Sequence, residues 1–517
     1  MRPDYLIIGS GLSGLAFGAL MAQAGKRVTV LEAHYAPGGY GHTFSFGDAP
    51  DEYRFNAQLH YVWNCGPDET VGRFLRKLGL EDEVTFERLD RNGFDRMRMP
   101  GFALDIPNDW DVLASRLAAL FPRHADRCRA FLEEVRRVER ELDSLPPTPR
   151  ALRMIPRLHR LRRVIRHRNA TLQDVFDAFE LPLEAQTLLA LQWPDFLLPP
   201  NRLSFFAWVA LFTGYMGGAY YPTHHFEHVI ETLVTTIRKH GGEVRLRQRV
   251  TGFMLDRDRV SGVITEDVDD YGVATGPVHE LHGAEVVANM DPRRVAEMIG
   301  LERFSSRLRN QLQYEYSASN FMAYCVVEGL DLRDHGFGRS NLFHSDEPDL
   351  NVAFEAMLER GDYSRPSFAV TVPTLLTEDR SDCPAGKQII EFLTVADYER
   401  FKNLHFSNRK QYNLAKRTIF DAILDVVERD YVPNLREHMV FKMLGSPTTN
   451  ERYANSPRGH SYGSSMTPAN MGASRLSWKS SVPGLYFCNA TSGYAGFAGT
   501  IWTGSNLYGQ LTGDRFV

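Results

Sequence analysis

Three glycines and one carboxylate near the start of the chain stand at a regular spacing. Gly9, Gly11 and Gly14 form the pattern Gly-x-Gly-x-x-Gly, and Glu32 follows about 20 residues after this loop. The first glycine permits a tight turn, the second lets a pyrophosphate approach the backbone, and the third lets a helix lie close to a sheet. A carboxylate at that distance accepts hydrogen bonds from ribose hydroxyls. The four residues together predict a dinucleotide site.

The elements around these residues are predicted to be a strand, a helix and a second strand. Tyr5–Ile8 is an apolar run typical of a buried parallel strand, residues 15–24 are helical in character, and Val28–Leu31 reads as the second strand. This order is that of a Rossmann unit, so we predict an α/β fold. A second glycine-rich turn at residues 37–43 is expected to lie along the same dinucleotide, with a plain surface loop as the alternative.

The bulk properties restrict the class of protein. The chain has 517 residues and a net charge of -5, which allows two or three hydrophobic cores and gives no electrostatic reason to bind nucleic acid. Five scattered cysteines without metal-ligand spacing argue for a reducing, cytoplasmic compartment and against a metal site. The longest apolar run after the first strand, residues 203–212, is too short to span a membrane.

Further motifs, in a fixed order along the chain, resemble those of a known family. They are Gly38-Gly39 with Thr43-Phe44, Gln58-Leu59-His60-Tyr61, Tyr221-Pro222 before a helix at residues 227–240, Val250, Ala288-Asn289-Met290-Asp291-Pro292, Ser446-Pro447 to Tyr453, Gly459 to Gly463, and Pro483 to Gly499. By these motifs the chain resembles the phytoene desaturase, carotenoid isomerase and retinol saturase group of FAD enzymes. Members of that group have the amine-oxidase-like flavoprotein fold.

The resemblance implies a glutathione-reductase-like FAD-binding domain of Rossmann type with a discontinuous α+β substrate or cap domain. The expected FAD-binding residues are Gly9, Gly11, Gly14, Glu32, Gly38, Gly39, Thr43, Val250, Asn489, Thr491 and Gly499. We expect FAD-binding parts at residues 1–75, 222–300 and 475–517, a helical substrate- or membrane-facing insert at residues 76–221, and a substrate domain at residues 301–474.

The chain departs from the family pattern at two places. The family carries an acid near the C-terminus that faces the ribityl chain, whereas this sequence reads Asn489-Ala490-Thr491. Asn489 or Thr491 must therefore substitute by neutral hydrogen bonds, or the contact is absent. The family has two glycines after Tyr-Pro, and here His224 and His225 replace them. Imidazole is the side chain that titrates nearest neutral pH.

Flavin chemistry on carbon needs a dry slot and one proton donor or acceptor. The candidates for this role are His60, Tyr61, His225 and His224. Since no second Gly-x-Gly-x-x-Gly follows a strand, we expect an external electron donor or acceptor. The resemblance implies a saturase or cis-trans isomerase of a lipophilic polyene, carotenoid, retinoid, isoprenoid or acyl lipid. A desaturase of the same substrates and a non-catalytic prenyl-lipid carrier of the Rab escort type are the alternatives.

One segment of the insert is strongly basic. It contains Arg150, Arg153, Arg157, Arg160, Arg162, Arg163, Arg166 and Arg168, with Ile155, Leu158, Leu161 and Ile165 at helical spacing. An apolar stripe beneath a cationic face is typical of a helix that lies on a membrane surface. A helix packed on the protein's own core and a partner-docking surface are the other interpretations.

Overall fold

The first layer of the protein is a parallel sheet, as seen in a computed structural model that describes residues 2–48, 51–145 and 160–517. Its five strands lie in the order Glu243–Arg245, Val28–Leu31, Tyr5–Ile8, Glu285–Ala288 and Leu485–Phe487. All pairings within it are parallel. The central strands are apolar on both faces because both faces are covered, one by helices and the other by a core that includes Val260 and Val263 of a small antiparallel sheet and Val295 of a helix.

Helices that touch at small residues cover this sheet. Leu12–Gln23 packs against Phe497–Thr512 and His225–Lys239. A Cβ on Gly504 would meet the carbonyl oxygen of Ser13 at 2.5 Å, and one on Gly18 would meet Ile237 at 3.2 Å. Glycines at these two crossings therefore let the helices approach more closely than larger residues would.

The second layer is a sheet of seven strands. Their order is Met439–Gly445, Ser319–Glu328, Lys387–Ala396, Ser367–Thr371, Asn341–Ser345, Asp95–Met99 and Phe102–Ile106. It joins residues that are more than 200 positions apart, since Asn341–Ser345 pairs in parallel with Asp95–Met99. Segments 76–221 and 301–474 therefore contribute to one sheet, and the five-part domain division remains a prediction.

The segment at residues 76–221 was expected to be helical and is in fact mixed. Its strands are Phe86–Arg88, Asp95–Met99, Phe102–Ile106 and Ala219–Pro222, and its helices are Thr70–Leu78 at its edge, Trp110–Leu120, Ala125–Asp143, Arg162–His167, Leu172–Ala178, Leu183–Ala190 and Phe205–Gly217. Asp95–Met99 alternates buried and half-buried residues, the period of a strand, and this pattern was missed.

Smaller elements complete the chain. Three antiparallel strands, Gln248–Asp256, Arg259–Val268 and Ala274–His282, form one sheet, Thr43–Phe46 pairs with Tyr53–Asn56, and Val62–Trp63 and Phe86–Arg88 flank Ala219–Pro222. The remaining helices are Pro292–Ile299, Ser306–Gln311, Leu350–Glu355, Pro373–Leu376, Tyr398–Ser407, Arg409–Asp430 and Pro447–Ala454. Among the described residues, no helix combines the length and apolar character needed to cross a bilayer.

Candidate functional site

The glycine loop lies between the first strand and the first helix. Gly9 has φ +95°, a conformation that side chains disfavour. A Cβ on Gly11 would lie 2.6 Å from Asn289 Oδ1, and one on Gly14 would lie 2.7 Å from the Gly9 carbonyl oxygen. Asn289 is held by hydrogen bonds from its Nδ2 to Ser13 Oγ and the Cys488 carbonyl. The loop therefore has no room for side chains at these positions.

The second glycine turn packs directly on the first. Gly38 has φ +112° and donates its N–H to the carbonyl oxygen of Ser10 at 3.0 Å. A Cβ on Gly39 would lie 3.2 Å from Gly11 Cα. The surface-loop interpretation of residues 37–43 is therefore wrong, because the turn is part of the same structural unit as the first loop.

A cavity of about 480 Å³ runs along both glycine turns. Of the predicted cofactor-binding residues, Gly9, Gly11, Glu32, Gly38, Gly39, Val250, Asn489 and Thr491 line it. Gly14, Thr43 and Gly499 do not. Gly14 lies beneath the turn, Thr43 lines a different cavity, and Gly499 packs against Tyr494. At that end of the cavity Gly496, which sequence reasoning missed, takes the lining position.

Glu32 orders the first turn as well as lining the cavity. Its Oε2 accepts hydrogen bonds from Ser10 N at 2.7 Å and Ser10 Oγ at 2.6 Å, and its Oε1 accepts one from His34 N at 2.8 Å. Charge-assisted bonds of this kind are about twice as strong as neutral ones. The carboxylate therefore holds the strand ends in place at the predicted ribose position.

The side chains of Asn489 and Thr491 differ in whether they are free to contact the cavity. Asn489 Nδ2 donates to the carbonyls of Ala288 and Met290, and its Oδ1 accepts from Thr491 N and Ser492 N. Its side chain is therefore occupied by backbone. Thr491 Oγ1 accepts from Ser464 N at 3.1 Å, and its hydroxyl proton remains able to donate into the cavity.

His60 is paired with a carboxylate that sequence reasoning missed. Its Nδ1 lies 3.0 Å from Glu391 Oε2, and the two side chains are 14% and 2% exposed. Burial raises the pKa of Glu391, although the hydrogen bond from His60 opposes this rise. His60 Nε2 has no hydrogen-bond partner among the described residues, so this nitrogen is free for another group.

Tyr61 lies in a buried acidic cluster. Its hydroxyl is 2.9 Å from Asp95 Oδ2 and 3.1 Å from Asp195 Oδ2, and its ring stacks on Tyr215 at 4.3 Å. Burial raises the pKa of Asp95 to about 7, and burial with the nearby Asp95 charge raises that of Asp195 to about 8. One hydroxyl between two carboxyl groups favours a shared proton.

His224 and His225 line a second cavity of about 430 Å³, and among the described residues this cavity shares no lining residue with the first. His224 Nδ1 lies 2.8 Å from Asp379 Oδ2, and His225 Nδ1 lies 3.3 Å from the Tyr221 hydroxyl. His225 has φ +62°, in the region that favours glycine. A histidine therefore occupies a backbone conformation that glycine adopts more readily.

Two further residues near the first cavity were missed by sequence reasoning. Burial lowers the pKa of His42 to about 4, so its imidazole is neutral, and its Nδ1 contacts the Gly39 carbonyl at 2.7 Å. Burial raises the pKa of Asp291, but the nearby His460 and hydrogen bonds from the Tyr316 hydroxyl outweigh this and hold the pKa below its ordinary value. Asp291 lines the dinucleotide cavity, and His42 supports the second glycine turn from behind.

A separate cluster brings His344, Asp346 and Asp430 together within reach of a metal ion. Arg429 Nη2 lies 2.7 Å from Asp346 Oδ1 and 2.6 Å from Asp430 Oδ2. Because this guanidinium already binds both carboxylates, the cluster is an ion-pair network of the fold.

A Rossmann unit with two meeting glycine turns, joined to a large second sheet, defines a dinucleotide-binding protein with the fold of the amine-oxidase-like flavoenzymes. Residues 7–78 match the NAD(P)-binding Rossmann-like domain family. Putrescine oxidase bound to putrescine superposes with a TM-score of 0.64 at 14% identity, over 99% of this chain and 100% of that one. An oxidoreductase from Methanosarcina mazei superposes with a TM-score of 0.62 at 16% identity, over 97% and 99% of the two chains.

The relatives in sequence are enzymes. All-trans-retinol 13,14-reductase of Macaca fascicularis is 24% identical over 96% of this chain and 83% of its own. Prolycopene isomerase of Arabidopsis thaliana is 21% identical over 88% of this chain and 73% of its own. The chain is thus a homologue of the retinol reductases and prolycopene isomerases, and the resemblance seen in its motifs is confirmed.

Proposed function

We propose that the protein is an FAD-dependent oxidoreductase that acts on C=C bonds of a lipophilic polyene, as a saturase or a cis-trans isomerase. The observation that carries this proposal is homology to two such enzymes over most of the chain. The dinucleotide cavity beside the His60–Glu391 pair supports it. A desaturase remains the alternative in the same class, and the Rab escort type of carrier is not favoured.

The first cavity fits FAD in its chemistry. The helix Leu12–Gln23 begins at Gly11 without a side-chain cap and without an acid in its first turn. Its free N–H groups and the positive end of its dipole therefore meet the cavity and favour a pyrophosphate. Glu32 is placed for the ribose, Val250 for the adenine and Thr491 for the ribityl chain. When bound, FAD exchanges a hydride with carbon through its N5.

His60 is the residue we assign to proton transfer at the substrate. Leu59, its neighbour in the chain, lines the dinucleotide cavity, and Glu391 fixes the imidazole ring. The free Nε2 can hold a proton for the carbon next to the one that exchanges hydride. Tyr61, buried beside Asp95 and Asp195, is assigned a supporting role in the adjacent wall.

The basic segment is proposed to contact an anionic membrane surface, and only its part from residue 160 onward lies among the described residues. There Arg160, Arg162, Arg166 and Arg168 are exposed. Leu161 is buried and Ile165 is 40% exposed, so the apolar stripe is divided. Arg163 is not part of a free cationic face, because it pairs with Glu134 at 2.8 Å and Glu141 at 3.3 Å. Four exposed arginines close together in the chain support attraction to acidic lipids.

The test of the proposed function is a reaction under anaerobic conditions. Purified protein is checked for flavin absorbance, photoreduced, and mixed with all-trans-retinol or prolycopene, and the product mass is read. A gain of two hydrogens indicates a saturase, an unchanged mass with altered geometry an isomerase, and a loss of two by oxidised protein a desaturase. Colourless protein that nevertheless binds prenyl lipid would replace the enzyme with a carrier.

A further inference from the structure

Ionisable groups line the second cavity, which is unusual next to a site for a lipophilic substrate. Three histidines on or next to the helix His225–Lys239 line it: His224, His225 and His228. The cavity is also lined by Arg54 on the strand Tyr53–Asn56 and by five acids. These acids are Glu227 and Glu231 on the helix, Asp379 and Asp382 in the loop after Pro373–Leu376, and Glu391 on Lys387–Ala396. The walls carry more acids than bases.

Three buried polar atoms of residues that line this cavity have no hydrogen-bond partner among the described residues. They are His225 Nε2, Asp382 Oδ1 and Glu391 Oε1. Because a buried polar atom left unsatisfied is destabilising, these three atoms indicate that water fills the cavity and bonds to them.

These groups form a series from the surface to the interior. His224 is 54% exposed and lies 2.8 Å from Asp379, at the mouth of the cavity. Deeper, His225 Nδ1 lies 3.6 Å from Asp382 Oδ2, and these side chains are 13% and 6% exposed. At the floor, Glu391 is 2% exposed and bonds to His60. The exposed fraction of the side chains therefore falls from His224 at the mouth to Glu391 at the floor.

The floor of the second cavity is the partition to the first. Glu391 lines the second cavity, while Gln58 and Leu59, which precede its partner His60 in the chain, line the dinucleotide cavity. Asn56 of the second cavity donates its Nδ2 to the carbonyl of Gly41 in the first at 3.0 Å. The His60–Glu391 and Asn56–Gly41 contacts therefore lie between the second cavity and the dinucleotide cavity.

The acid-base properties of the series suit proton transfer near neutral pH. Burial raises the pKa of Asp382 to about 7, with the charges of Glu391 and Asp379 adding to the rise. Burial lowers the pKa of His225. Groups that change protonation state near the working pH transfer protons most efficiently.

We propose that the second cavity is the proton-uptake path of the reaction, from His224 and Asp379 at its mouth, through Asp382, His225 and water, to Glu391 and His60. This inference rests on the proposed function and assigns its direction as saturation. Reducing one C=C bond takes a hydride from reduced FAD and one proton from His60, which forms the second C–H bond. His60 regains its proton from solvent water through Glu391. An external hydride donor, or a donor of two electrons together with one proton from solvent, would restore the reduced FAD. Isomerisation consumes no proton and needs no such path.

The experiment uses the whole protein, reduced with dithionite and mixed anaerobically with all-trans-retinol, and follows flavin reoxidation in a single turnover at several pH values. Glu391→Gln and Asp382→Asn are expected to keep full flavin content and to slow reoxidation by about 10²-fold or more, from the lower end of the range that a positioned acid contributes. In these variants the reoxidation rate should no longer change with pH near neutrality, as it does in the parent. Glu391→Asp, which keeps a carboxyl group, should recover part of the rate.

Glu231→Gln is the matched control, since it makes the same chemical change in an exposed residue of the same cavity. Equal slowing in this control, or parent rates in both buried variants, would overturn the path while leaving the proposed function intact. If the buried variants lose flavin, Asp379→Asn at the mouth of the cavity is tested in their place. Reoxidation of that variant at the rate of the parent would overturn the path. A parent protein that transfers no electrons to retinol, or only isomerises it, overturns both the direction and the path.

Discussion

His60 Nδ1 and Glu391 Oε2 lie 3.0 Å apart although 331 positions separate the two residues in the chain. Glu391 is buried and lines the second cavity, while Leu59, next to His60 in the chain, lines the dinucleotide cavity. A histidine fixed through one nitrogen presents the other in a defined direction, as in the oriented bases of many enzymes. This relationship leads to the first prediction.

His60→Gln is expected to lower turnover by about 10²- to 10⁴-fold with flavin content unchanged, because the amide cannot carry the proton. Flavin absorbance and single-turnover rates are the measurements. His279→Gln, at an exposed histidine of the three-stranded sheet, is the control and should retain the parent rate. A His60→Gln protein as fast as the parent would remove His60 from the reaction.

Gly11→Val is expected to give protein without flavin, because the added side chain meets Asn289 where a Cβ alone would come within 2.6 Å. Gly217→Val makes the same change where the nearest atom, Glu69 Oε1, is 3.6 Å away, and should purify with flavin. The ratio of flavin to protein absorbance decides the matter. Full flavin in the Gly11 variant would show that the loop does not hold the pyrophosphate.

His225→Gly is expected to be more stable and slower than the parent. A left-handed conformation costs a non-glycine residue about 1–2 kcal/mol, so glycine at φ +62° relieves strain while it removes an imidazole from the proton path. His225→Gln keeps the strain and also slows the reaction. Thermal unfolding and single-turnover rates separate the two effects. A Gln variant that matches the parent across pH would assign His225 a steric role.

The contribution of Asp95 and Asp195 to the stability of the protein is expected to fall as pH rises from about 4 to about 8. The pKa values of Asp95 and Asp195 are raised to about 7 and 8, so the folded state binds these protons more tightly than the unfolded state. Each such proton contributes a slope of about 1.4 kcal/mol per pH unit within its window. Urea unfolding at several pH values should show that stability depends less on pH in the double variant Asp95→Asn with Asp195→Asn. Asp111→Asn, at an exposed residue, should keep the pH dependence of the parent.

Charge reversal of Arg162 and Arg166 is expected to reduce binding to phosphatidylserine vesicles, since each basic residue near the surface is worth about 1 kcal/mol. Co-sedimentation at low salt measures the effect. Arg163→Glu should instead destabilise the fold, because it places a third acid beside Glu134 and Glu141. Arg303→Glu with Arg307→Glu is the control. Equal vesicle binding by all variants would favour a structural or partner-docking role for the segment.

The sequence by itself determined the Rossmann unit. The strands Tyr5–Ile8 and Val28–Leu31 and the turn between them follow the predicted bounds, and the helix begins at Leu12 instead of residue 15. These features are local: apolar runs specify buried parallel strands, and Gly9 specifies a turn with positive φ. The second glycine turn was also placed correctly, because it follows Glu32 directly.

Only the tertiary structure decided which side chains meet around His60, Tyr61 and His225. Glu391, Asp95 and Asp382 lie on elements that long-range pairing of the second sheet and its loops brings together, and no local periodicity marks an acid as the partner of a distant histidine or tyrosine. Burial, which raises the pKa values of these acids, is likewise a property of the assembled layers. The motifs therefore identified the histidines as candidates. The partners of these histidines and the separation of the two cavities follow from packing alone.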